Sequence, residues 1–157
     1  MKHADTNTPP ESWTDDLVAL LERQQAAVDR LLGLARSQGG LIEKGRSEPL
    51  LGLLAQRQRL IDEFTDLQGE LSARTGDLNR RLLAVAEADR GRIRGLIDDI
   101  SAGLGEIMRL DDRDQAALAE ARERARTELA AHGAARQARS AYTGLSYTPS
   151  RFADRQG

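Results

Sequence analysis

Phe64, Leu71, Leu78 and Val85 recur every seven residues, and Leu53, Leu60 and Leu67 do the same three or four places away. Residues 47–88 therefore carry one apolar stripe at the spacing of a helix that another helix must cover. The positions between hold Arg, Gln, Asp and Glu, which suit a solvated face. At about 1.5 Å per residue such a helix is roughly 60 Å long, too long to sit inside a compact globule. Composition points the same way. Aromatics make up 3% of the chain and charged residues 31%, whereas a sheet draws on Val, Ile and aromatics. At 157 residues, one domain is expected. Its fold class is all-α, an elongated antiparallel three-helix bundle or coiled coil, with a disordered N-terminus and a C-terminal tail.

Residues 1–11 are polar, include Pro9 and Pro10, and read as disordered. A helical domain is expected over 12–139, with helices at about 12–44, 47–88 and 92–139. Ser12 or Thr14 can cap the first helix, with Asp15 and Asp16 favouring its N-terminus. Leu17, Leu21, Val28, Leu31, Ala35 and Ile42 form its stripe, interrupted by Gln24 and Gln38, and Trp13 just before it reads as an end-plug. Gly45 reads as a C-cap and Ser47 as the next N-cap, with Pro49 in a first turn where its missing N–H costs little. So short a turn makes helices one and two antiparallel. In the third helix Ile93, Ile97, Ile100, Leu104 and Ile107 keep the spacing, and Asp89 can cap it. The same register puts Asp111 and Asp114 on the seam. Two carboxylates there need partners if dry, so a hinge or an opening to water is expected. Beyond them the seam narrows to Leu118, Ala121, Ala125 and Leu129, on a stretch expected to overhang the other helices. Residues 140–157 read as a flexible tail holding three of the five aromatics, Tyr142, Tyr147 and Phe152. That tail either folds back over an exposed seam or serves as a short recognition segment.

Most function classes lack a signal. The net charge of −2 gives no pull toward nucleic acid or anionic membrane, and the 21 arginines alternate with acids. Arg122, Arg124, Arg126, Arg136 and Arg139 form only a mild basic cluster, diluted by Glu120, Glu123 and Glu128. Nucleic acid and membrane insertion are not expected, and cytoplasmic location is. The absence of cysteine fits a reducing compartment. The glycines from Gly40 to Gly45 mimic a phosphate loop without its Lys or its preceding strand. Asp111, Asp112 and Asp114 lack the Gly and distal Glu of a calcium loop. His3 and His132 stand far apart, so no zinc site is readable. Gly91 and Gly95 have membrane-dimer spacing but are flanked by Arg. No nucleophile stands beside a recognisable base. Neither an enzyme nor a cofactor is expected.

The first hairpin reads Leu17-x-x-Leu20-Leu21, Leu31-Leu32-x-Leu34-Ala35, Leu41-Ile42-x-x-Gly45-x-x-x-x-Leu50 and Leu53-Leu54-x-x-Arg57-Gln58-x-Leu60. This resembles FlgN-type flagellar export chaperones, which pair two long helices around a Gly-containing turn. The ending, Tyr142-x-Gly144 and then Ser150-Arg151-Phe152-x-Asp154-Arg155-x-Gly157, is similar to tails in that family. Asp111 and Asp114 stand where the family often has asparagines. The resemblance implies a cytosolic chaperone without catalysis. It would bind the C-terminal helices of hook–filament junction proteins, prevent premature assembly and deliver them to a component of the type III export apparatus. Residues suited to holding a client helix are Leu118, Ala121, Ala125 and Leu129, joined by Tyr142, Leu145, Tyr147 and Phe152 of the tail. The alternatives are a structural coiled coil that tethers or forms a homo-oligomer without a client, and a ribosome-associated helical hairpin.

Overall fold

The computed structural model describes residues 11–76 and 78–146. Among them the only regular elements are helices: α1 (Glu11–Glu43), α2 (Ser47–Thr75), α3 (Leu78–Leu82) and α4 (Glu87–Ser146). Of residues 1–11, expected to be disordered, Glu11 is instead the first residue of α1 and the others lie outside the described residues, as does the tail from Tyr147 on. The chain divides into two units, Met1–Gln115 and Ala116–Gly157.

The first unit is an up-down-up bundle of long helices. Its first turn forms as the sequence suggests. Gly45 takes φ +61, the left-handed region that suits glycine. Its N–H then reaches the Ile42 carbonyl (3.0 Å), and the Arg46 N–H reaches that of Leu41 (3.0 Å). This pair of bonds closes a Schellman cap and satisfies carbonyls that the helix end leaves unmatched. Gly45→Ala is expected to lower stability by about 1 kcal/mol through strain at this φ, read as a shift of the urea midpoint. Ser47 is not the cap of α2 but its first residue. Arg46 holds the cap position with no side-chain bond, and the first backbone bond runs from Leu50 N–H to the Arg46 carbonyl. Ser12 and Thr14 likewise lie inside α1, which starts at Glu11, and Thr14 is buried.

The pairings fix the directions. Gln24 bonds Gln68, Gln38 bonds Arg57, and Asp16 at the start of α1 pairs with Arg74 at the end of α2. Rising numbers in α1 meet falling numbers in α2, so the two are antiparallel. Glu22 pairs with Arg92, Gln25 with Asp99 and Gln38 with Asp114, so α1 and α4 are parallel. The core runs through the expected positions: Leu17, Leu21, Val28, Leu31 and Ala35 of α1 with Ile93, Ile100 and Ile107 of α4, and with Phe64 and Leu71 of α2 partly buried against them. Trp13 plugs the end where α1 starts and α2 stops. Its indole N–H points to the Arg74 carbonyl, and the Arg81 guanidinium lies 5.5 Å from the ring centre.

The second helix does not reach residue 88. It ends at Thr75 with Gly76 as its C-cap, a length of about 44 Å. Glycine gives up the most backbone entropy in a helix, which makes it a weak link in a stripe that otherwise continues. One heptad series survives the break: Leu78 is packed against the core and Val85 is buried, although α3 and the turn after it have replaced the helix. The other slips by one, with Leu82 buried in place of exposed Arg81. Glu87 and Asp89 then occupy the first turn of α4, where carboxylates are favoured, so Asp89 is not the cap expected of it. On the exposed flank of α4, Arg109 donates two hydrogen bonds to Glu106. That bonding is the main reason the Glu106 carboxyl titrates below its usual range. A group with a lowered folded-state value contributes stability above the ordinary carboxylate range and loses it as pH falls through the lowered one.

Candidate partner-binding helix

Helix α4 is continuous through the Asp pair. The expected break is absent, and the carboxylates find partners on both other long helices. Asp114 is buried, whereas the Asp111 side chain keeps 34% exposure, so water does reach the seam there. Arg57 of α2 grips Asp111 with both guanidinium nitrogens, Nη1 to Oδ1 and Nη2 to Oδ2, each at 2.8 Å. The same Nη1 donates to Gln38 Oε1 at 2.6 Å, and Gln38 Nε2 donates onward to Asp114 Oδ2 at 3.1 Å. Arg113 approaches Asp114 Oδ1 at 3.4 Å. Asp114 is 2% exposed, and Arg57 and Gln38 are also buried. The glutamine that interrupts the α1 stripe is therefore the bridge of a three-helix polar layer. Arg57 Nε is the one side-chain donor of this layer left without an acceptor. Sequence reading missed Arg57, yet a signal was present. It stands four after Leu53 and three before Leu60, on the seam and not on the solvated face.

The second unit is the rest of α4, residues 116–146. Among residues 116–144, whose burial is described, none is buried and only Ala117 and Ala121 are partly shielded. Leu118 is 45% and Leu129 72% exposed, and Ala125 is exposed too. Three of the apolar residues expected to hold a client are thus open, and Ala121 half open. Helix also replaces the beginning of the expected tail, since α4 continues to Ser146. Tyr142 consequently sits on a helix, 77% exposed. At about 100° per residue it lies about 100° around the helix from the centre of the Leu118–Leu129 face. Leu145 is also within α4, while Tyr147 and Phe152 fall outside the described residues. Of the five whose side chains are described, four share a face and Tyr142 stands off it.

A groove of about 520 Å³ lies between α1 and α2, lined by Gly33, Leu34, Leu60, Arg30 and Arg59 among others. Leu51, Leu54 and Ile61 are exposed on one side of α2 and Met108 on α4, and a large share of any protein surface is apolar. Among the described residues no three carboxylates or imidazoles converge to hold a metal ion, and no helix is long and apolar enough to cross a membrane. Comparison of the chain with protein-family models, with curated proteins and with solved structures returns no match.

Proposed function

We propose that this chain is a cytoplasmic chaperone of flagellar type III export. Its clients are hook–filament junction proteins, whose C-terminal helices it holds until they are handed to the export apparatus. One observation carries the reading: α4 extends through residues 116–146 as a helix whose Leu and Ala face is left open. Such a face invites an amphipathic helix laid along it. The hairpin and tail patterns that resemble FlgN-type chaperones supply the identity of that helix.

The energetics suit a carrier. Covering some 600 Å² of apolar surface yields about 15 kcal/mol gross at ~25 cal/mol per Å². Ordering two partners consumes most of that, which leaves a reversible complex. The small Ala side chains let a partner backbone approach closely, and the two leucines anchor it. A polar layer at Gln38, Arg57, Asp111 and Asp114 holds α4 in the bundle independently of any client.

Leu118→Asp with Leu129→Asp is expected to abolish co-purification with a co-expressed hook–filament junction protein while the circular-dichroism helix signal stays nearly intact. Both positions are exposed, so neither charge is stranded in a core. Unchanged co-purification would remove this face from the reading. A wild-type oligomer in light scattering that the same double variant turns into a monomer, with no client bound by either, would favour the self-associating coiled coil.

A further inference from the structure

Beyond Glu128 the open helix changes character. Residues 129–153 contain no Asp or Glu, whereas Arg136 and Arg139 stand exposed on α4 within that span. Arg126 has Glu123 one turn away. Arg136 and Arg139 have no carboxylate three or four places off on either side, so the intrahelical pairs that usually quieten helix arginines are denied to them. Among the described residues no ion pair reaches either one. They are not placed to offset the helix dipole either. That effect is confined to the last turn, and the last turn of α4, which ends at Ser146, holds no basic residue.

Their position on the helix is what matters. Leu118, Ala125, Leu129, His132, Arg136 and Arg139 follow one another three, four or seven places apart. At about 100° per residue all six fall within about 80° of one another. Glu120 and Glu123 lie on the opposite side. One strip therefore runs along the helix, apolar in its first half, where Arg122 borders it, and cationic in its second, with Glu128 at its edge where the two halves meet. The charge balance of the two units sharpens this. Residues 11–115 hold twenty Asp and Glu against fifteen Lys and Arg, whereas residues 116–146 hold three Glu against five Arg. An acidic partner is repelled by the first surface and drawn to the second.

We infer that the helix received by this strip is amphipathic with an acidic end, its apolar face covering Leu118 to Leu129 and its carboxylates meeting Arg136 and Arg139. The inference rests on the reading of residues 116–146 as a docking helix. Guanidinium forks take carboxylates in a paired geometry that fixes register as well as affinity. Carboxylates in the first turn of a helix are also stabilised by that helix's own dipole. A partner lying antiparallel, with its acidic first turn over the two arginines, satisfies both demands.

The test uses the full chain and three fluorescent peptides of about 20 residues, long enough to carry the strip. They share a Leu/Ala seam and differ only in a first turn of Glu, Gln or Lys. Anisotropy at low salt is expected to rank Glu over Gln over Lys, with about tenfold between the extremes and convergence as salt is added. Arg136→Glu with Arg139→Glu is expected to reverse the order at unchanged helix content. Equal binding of the three peptides, unmoved by the charge reversal, overturns the acidic end and leaves the docking helix standing. Binding of none, together with a junction protein still retained by the Leu118→Asp, Leu129→Asp variant, removes both. A stronger response to phosphatidylglycerol vesicles than to any peptide, lost on charge reversal, overturns the inference in favour of a lipid surface. Doubling of mass in light scattering, lost in the same way, overturns it in favour of a second copy.

Discussion

Arg57→Met is expected to destabilise the bundle by about 3 kcal/mol, measured as a fall in the urea midpoint with an unchanged slope. Methionine fills much of the same volume, so the loss is electrostatic. Asp111 forfeits both of its guanidinium bonds, and Gln38 Oε1 loses its donor. Asp114, 2% exposed, keeps the Gln38 amide but loses the nearby buried cation. The Asp111 side chain retains 34% exposure, which lets water repay part of the cost and sets the expectation at the lower end of the range for a broken buried pair. The double variant, Arg57→Met with Asp111→Leu, is expected to recover at least half of the loss, because it removes the stranded carboxylate along with the cation. The incomplete recovery reflects Gln38, whose Oε1 stays unpaired. A single variant as stable as wild type would mean that the layer is solvated in solution and contributes nothing to the hold on α4.

Gly103 and Gly105, two residues apart on α4, are expected to respond to alanine with opposite signs. A Cβ on Gly103 would lie 2.5 Å from Val28 Cγ1, whereas one on Gly105 meets nothing within 4 Å. Alanine gains about 1 kcal/mol over glycine in a helix interior. At position 105 that gain stands alone, so Gly105→Ala is expected to raise the midpoint. At position 103 overpacking against a valine that is 1% exposed costs about 1–3 kcal/mol and prevails, so Gly103→Ala is expected to lower it. Val28→Ala added to Gly103→Ala relieves the clash, and the pair should be less unstable together than the two losses added. Additive losses would mean that α1 and α4 do not approach at this point. The comparison also shows why fourteen glycines in a helical chain do not weaken it uniformly.

Much of the bundle was legible. The seven-residue spacing named the seam on every long helix, and Leu17, Leu21, Val28, Leu53, Leu67, Ile93 and Ile100 are all buried. Gly45 announced its turn, because only a residue free to take φ +61 closes that cap cheaply. The end of α2 was less legible, since apolar spacing continues through Leu78 and Val85 while the backbone stops at Gly76. Burial of a stripe requires only that its residues return to the core, not that one helix carries them there. The narrow Leu118–Leu129 face was readable from spacing, but the placement of Tyr142 away from it depended on α4 continuing to Ser146.

The sequence by itself determined that the chain is helical, most of the seam positions and the first turn, since these follow from preferences that neighbours within a turn or two impose on one another. Only the tertiary structure decided the fate of the polar residues on those seams. Asp111 is answered from 54 residues away and Asp114 from 76. Whether a carboxylate on a seam is a defect or a fastening depends on what the other helices bring opposite it, and no local pattern encodes that distance.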